Sequence, residues 1–140
     1  MHERPRHPAG HRVQVALSTV VVTGSASGIG AACAVRLRSD GFEVVGIDLR
    51  DAEIIADLST DEGRRSAIDA VVARSGGAIA GLVTCAGLAG MPSRAGSLLT
   101  AVNYFGTVEL LDGLRPLLVG DGAAVAISSN STTVQPGVPM

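Results

Sequence analysis

Three glycines, Gly24, Gly28 and Gly30, fall within the octapeptide TGSASGIG (residues 23–30), directly after the apolar run STVVV. A G-x-x-x-G-x-G spacing between a strand and a helix meets the physical demands of a dinucleotide pyrophosphate. It permits a tight turn, lets backbone approach the anion closely, and aims the unpaired N–H groups of a helix N-terminus at the negative charge. Ser25 and Ser27 add hydroxyl donors to the loop. Asp48 closes the next apolar run, 18 residues past Gly30. There a carboxylate accepts hydrogen bonds from the adenosine ribose hydroxyls and repels a 2′-phosphate. Leu49 follows it and Ala26 lies in the glycine loop, so neither position offers a cation to such a phosphate; Arg50 is the counter-signal. The balance favours NAD over NADP.

Chemistry of this kind needs a rigid sheet beneath it. Apolar runs bounded by turn residues occur at 18–24, 42–48, 53–57, 81–87 and 123–129. Their Val/Ile richness on both faces is what a parallel sheet covered on both sides requires. Helical patterns lie between most of them: 28–39, with Ile29, Cys33, Val35 and Leu37 expected toward the sheet; 60–74, with Thr60 or Ser59 as cap; and 97–119, ending near Gly120. The fold class is α/β, a Rossmann-type doubly wound parallel sheet truncated after about the fifth strand. The second and third runs are joined by only a few residues around Asp51, too few for a helical crossover.

The first dozen residues, MHERPRHPAGHR, have nothing to bury and read as a disordered tail. Residues 13–131 form one domain, and 132–140 an irregular end. His2, His7 and His11 do not share a helix face and have no acidic or thiol ligand beside them, so no metal site is expected. The stretch VQVALSTVVVTGSAS imitates a secretory leader, but cleavage there would destroy the glycine loop, and Gln14, Ser18 and Thr19 interrupt the apolar run. With 46% hydrophobic residues and a net charge of -2, the chain can build a core but has no basic footprint for nucleic acid. No stretch reaches the roughly 18 apolar residues of a membrane span. Cys33 and Cys85 lack metal-ligand spacing and read as reduced, buried thiols of a cytoplasmic protein.

At this density of motifs the chain resembles the short-chain dehydrogenase/reductase family. TGSASGIG, Ile29 included, resembles the family's TGxxxGIG; Asp48 its ribose-binding acidic residue; and Asp57-Leu58 the pair that holds adenine. Cys85-Ala86-Gly87 is similar to the NAG turn, Asn103 in VNYFG to the helical active-site Asn, and ISS (127–129) to the strand end bearing the catalytic Ser. GIDLRDAEIIADLSTDEGR, LVTCAGL and VNYFG are most similar to the family's bacterial 3α-hydroxysteroid dehydrogenase/carbonyl reductase group. The resemblance implies an NAD(H)-dependent oxidoreductase interconverting alcohols and ketones. Ser129 would hold the substrate oxygen, with Ser128 as its alternative, and Asn103 would support the proton relay through a backbone group of its helix. Ala86 and Gly87 would line the ribose side of the cofactor.

The family's Y-x-x-x-K motif has no counterpart here. All 11 basic residues are arginines, and the single tyrosine, Tyr104, sits beside Asn103 on the helix, where packing is its expected role. The chain alone is therefore expected to lack turnover, with the catalytic segment beyond residue 140. Helix 97–119 commonly builds a dimer interface in this family, so Val102, Phe105, Val108, Leu111 and Leu114 are expected partly exposed and a homo-oligomer through this helix is the expected assembly. The strand at 123–129 is expected to be an apolar edge. Two alternatives stay open: a non-catalytic nucleotide-binding or interaction protein, and a fragment without function.

Overall fold

The computed structural model describes residues 18–129. Five parallel strands, β1 (Thr19–Thr23), β2 (Glu43–Asp48), β3 (Ile54–Ile55), β4 (Ile79–Thr84) and β5 (Leu118–Ala126), form one sheet in the order β3-β2-β1-β4-β5. Strand β1 lies at the centre, and its five residues TVVVT are all buried. β-branched side chains suit this position because both faces of the strand are covered. The order reverses at β1, with β2 on one side and β4 on the other, and the register Thr23↔Ile47 and Thr23↔Thr84 brings three strand ends to one level. A crevice at that switch point is where open α/β sheets take their ligands.

Helix α1 (Gly28–Ser39) covers one face, and α2 (Asp61–Ser75) and α4 (Gly106–Leu114) cover the other. Ala34 packs with Val20, Val22 and Val44 under α1. The larger cluster joins Val21, Ile47 and Leu82 of the sheet to Ala67 and Val71 of α2 and to Leu110 and Leu114 of α4. Thr60 caps α2 as its sequence implied, its Oγ1 accepting from the Gly63 N–H at 3.0 Å, while Gly76 ends the helix in the left-handed region at φ 64°. The β2–β3 link is a turn through Asp51, whose φ of 52° is the only positive value at a non-glycine residue among those described.

Five details differ from the sequence reading. Ile29 and Val35 are exposed on α1, whereas Gly30 and Ala34 are buried and Cys33 and Leu37 half-buried. Positions 30, 34 and 37 follow the helical repeat, and the small residues at 30 and 34 let α1 lie close to β1. Leu114 is not partly exposed but fully buried. The last helical region begins as α3 (Gly96–Thr100), continues through a π-helical turn (Ala101–Phe105) into α4, and ends in a 3-10 turn at Leu117 rather than at 119. β5 starts earlier and stops earlier than 123–129: Leu118 pairs with Ile79, the register slips at a bulge where Gly120 takes φ 58°, and pairing resumes at Ala123↔Gly81. The thiols of Cys33 and Cys85 are half-buried rather than buried. The N-terminal tail, the 132–140 end and the histidines lie outside the described residues.

Candidate functional site

Each loop glycine answers a different steric demand. Gly24 turns the chain out of β1 at φ 68°, and a Cβ there would stand 2.8 Å from the Ala86 nitrogen. A Cβ on Gly30 would overlap the Gly24 carbonyl. Gly28, at φ 55°, has nothing within 4 Å of its Cβ position. Two glycines thus allow backbone to pack on backbone, and the third leaves open space at the start of α1. Ser27 occupies the N-cap with extended backbone but makes no side-chain capping bond, so the first N–H groups of this 12-residue helix are left for a ligand or water.

These residues line a cleft of about 630 Å³, a size usual for small-molecule sites. One wall is Gly24 and Ser27–Gly30, a second is Asp48–Arg50, a third Asp57–Ser59, and a fourth Cys85–Leu88 with Arg94, Leu98 and Val102. Asp48 is held by two backbone donors, the Ala26 N–H at 2.9 Å to Oδ2 and its neighbour Leu49 N–H at 2.7 Å to Oδ1. Its charge is thereby fixed at the mouth of the glycine loop. The Ser59 hydroxyl, and then the Ser59 N–H, hold the Asp57 carboxyl below its ordinary value. Leu58 is buried, and Ala56 beside it is buried too.

The fourth wall is tied to β1 by a contact the sequence reading did not single out. Thr23 Oγ1 accepts from the backbone N–H groups of both Cys85 (3.1 Å) and Ala86 (3.0 Å). The signal was the threonine that opens TGSASGIG, immediately before Gly24. Farther along, Asn103 stands on the π-helical turn and clasps Leu88: its Oδ1 accepts the Leu88 N–H at 2.7 Å and its Nδ2 donates to the Leu88 carbonyl at 3.0 Å. Asn103 itself is not among the cleft-lining residues, nor are Ser25 and Ser129. Ser25 Oγ is turned inward against Gly46 and has no hydrogen-bond partner among the described residues. Ser128 and Ser129 follow β5 and are exposed. Tyr104 is also exposed and meets the Phe105 ring edge to face at 5.2 Å between centroids.

Arg64 supports the Asp57–Ser59 wall from behind and was also missed, since one arginine in a charged helix has no distinguishing pattern. It is 3% exposed. Its Nε donates to Glu109 at 2.6 Å, Nη1 to the Leu58 carbonyl at 2.9 Å, and Nη2 to Asp61, while the guanidinium lies 5.8 Å from the Phe105 ring centroid. One side chain therefore joins α2, α4 and the turn after β3 that carries Leu58.

The open, left-handed Gly28, the uncapped α1 N-terminus and the fixed Asp48 carboxylate fit a dinucleotide: anion donors on one wall and a hydroxyl acceptor on the next. Among the described residues no group of three or more His, Cys, Asp and Glu side chains could hold a metal, and no helix is long and apolar enough to cross a membrane. The chain is 49% identical over 115 residues to the 3-alpha-hydroxysteroid dehydrogenase/carbonyl reductase of Comamonas testosteroni, covering 81% of this chain and 44% of that protein. It is 37% identical to a coniferyl-alcohol dehydrogenase of Pseudomonas sp. (strain HR199 / DSM 7063), over 84% of this chain and 46% of the other. The 3-alpha-hydroxysteroid dehydrogenase of Pseudomonas sp. B-0831, solved with NADH, superposes with a TM-score of 0.80 at 49% identity, over 86% of this chain and 47% of that one. The chain thus spans about half the length of the relatives it matches. The short chain dehydrogenase family pattern matches residues 18–139, and with the cleft at the β1 switch point this establishes that the chain belongs to that family.

Proposed function

We propose that the chain is the cofactor-binding half of an NAD(H)-dependent oxidoreductase acting on CH–OH and carbonyl groups, with a hydroxysteroid or a related hydrophobic ketone as its substrate class. The observation that carries this reading is the pairing of the open Gly28 turn with the anchored Asp48 across one cleft. The α1 N-terminus takes the pyrophosphate, Asp48 takes the adenosine ribose hydroxyls, and Asp57 and Leu58 flank the adenine. Ala86 and Gly87 pass the nicotinamide ribose toward the strand ends. Arg50 lines the cleft too, but Leu49 beside Asp48 is no partner for a 2′-phosphate, so NAD is preferred to NADP.

The bound nicotinamide supplies hydride transfer. This chain's residues bind and orient: Ser129 holds the substrate oxygen, and Asn103 fixes the loop at Leu88 while its helix supports the proton relay. A sequence without lysine and with one tyrosine has no Y-x-x-x-K, so the 140 residues bind dinucleotide without turning over substrate. A second reading, a nucleotide-binding interaction protein of the cytoplasm, draws on the exposed Val125 and Ile127 at β5.

Calorimetric titration of the 140-residue chain with NAD and NADP tests the proposal. Saturable NAD binding that is tighter than NADP binding, and weakened by Asp48→Ala, is the expected result. A folded chain that binds neither overturns it.

A further inference from the structure

Side chains alternate along a strand, so Val83 and Cys85, two residues on, share a face of the sheet. That face lies under α1: Val20, Val22 and Val44 pack there with Ala34, and Val83, Cys85 and Cys33 pack against the same cluster. Cys33 precedes Ala34 on the helix. Two residues 52 positions apart are thereby brought together at the junction of α1 with the end of β4. Burial first, and then the charge and hydrogen bond of the neighbouring Cys33 thiol, push the Cys85 thiol up to about 11. Both cysteines are free and half-buried.

The pair also connects two walls of the cleft. Cys85 lines it, and the first turn of the helix that carries Cys33 lines it as well. A disulfide needs Cα atoms about 4.4–6.8 Å apart and a fixed S–S torsion, so closing one here draws α1 and the Cys85–Gly87 turn into a single geometry.

We propose that Cys33 and Cys85 form a redox modification site: an intrachain disulfide, made by exchange with a small-molecule disulfide such as glutathione disulfide, clamps α1 to the end of β4 and weakens dinucleotide binding. The effect on binding rests on the reading of the cleft given above. The Cys33 thiolate attacks one sulfur of glutathione disulfide, forming a mixed disulfide and releasing one glutathione thiolate. Cys85 then loses its proton to solvent, its thiolate attacks the Cys33 sulfur, and the second glutathione departs. The two protein thiols are oxidised by two electrons, and one glutathione disulfide is reduced to two glutathione thiols. The second step is intramolecular.

The test is to incubate the 140-residue chain with glutathione disulfide, block remaining thiols in acid, map the peptides by mass spectrometry, and titrate NAD before and after. The expected result is a Cys33–Cys85 cross-linked peptide pair, reversed by dithiothreitol, with NAD affinity at least threefold lower in the oxidised chain. Cys33→Ser should bind NAD like the reduced chain and show no change with the oxidant. Separate glutathione adducts on the two cysteines, a cross-link between two copies, or a cross-link that leaves NAD affinity unchanged would each overturn the proposal. Failure of the reduced chain to bind NAD would instead count against the cleft assignment, because the peptide map reads the cross-link without any ligand.

Discussion

The Asn103 side chain holds both backbone polar groups of Leu88, accepting from its N–H at 2.7 Å and donating to its carbonyl at 3.0 Å across 15 residues of sequence. The amide is one of the few side chains that can make this two-way bond, because it has an acceptor and a donor side by side. Asn103→Asp keeps the acceptor and loses the donor, and Asn103→Ala loses both. Since the pair is exposed, we expect losses of about 0.5 and about 1 kcal/mol respectively in urea unfolding. Hydrogen exchange at the Leu88 amide should speed up clearly in the alanine variant and much less in the aspartate.

Arg64 is nearly enclosed and holds Glu109, Asp61 and the Leu58 carbonyl together. Its removal strands the Leu58 carbonyl and a half-buried carboxylate. Arg64→Ala should cost about 3 kcal/mol in urea unfolding, and Glu109→Gln, which keeps an acceptor oxygen for Nε and loses only the charge, about 1 kcal/mol. Equal effects of the two substitutions would show that the Leu58 and Asp61 bonds carry no weight.

Two glycine substitutions separate folding from binding. Gly30→Ala drives a Cβ into the Gly24 carbonyl and should destabilise the fold severely, visible as loss of a cooperative thermal transition. Gly28→Ala meets no protein atom within 4 Å but must hold φ near 55°, at a cost of about 1 kcal/mol. It should stay folded while its NAD affinity falls at least tenfold, because the added methyl occupies the approach to the α1 N-terminus.

Removing the Asp48 carboxylate should change cofactor preference as well as strength. On the proposed cofactor reading, Asp48→Ala loses the ribose acceptor and the repulsion of a 2′-phosphate, and leaves Arg50 on the same wall. NAD affinity should fall about tenfold while NADP affinity rises or holds, because one charged acceptor is lost to the ribose and its repulsion is lost to the 2′-phosphate. Calorimetry with both dinucleotides reads the ratio directly.

Glu53 links charge to pH stability. Burial raises its carboxyl, but the Gly46 N–H at 2.8 Å, its own N–H and Arg38 at 2.8 Å outweigh that and hold it below the ordinary value of 4.5. The folded state therefore binds this proton less readily than the unfolded chain. The stabilisation is present above about pH 4.5 and is lost as pH falls through the lower folded value. Glu53→Gln should flatten the acid limb of an unfolding-versus-pH curve.

Much of the scaffold was legible locally. The boundaries of α1, the Thr60 cap, the Val/Ile runs of β1 and β2 and the turn at Asp51 depend on neighbours in sequence, where propensity, capping and chain length act directly. The glycine loop was legible for the same reason, since its demands for turn and close approach are met by glycines at fixed spacing. The inward face of α1 was not, because Ile, Ala, Cys, Val and Leu occur around the whole helix and leave no single apolar stripe. Tertiary structure chose Gly30 and Ala34 for the sheet and left Ile29 and Val35 outside, since only small residues let the helix descend onto β1. It also placed Leu114 in the core, turned Ser25 away from the cleft, and gave Thr23 Oγ1 the Cys85 and Ala86 amides. The sequence by itself determined the elements and the cradle. The fold alone decided the contacts made across more than 40 positions, Arg64 to Glu109 and Cys33 to Cys85, because such pairs come together through parallel crossovers that no local spacing encodes.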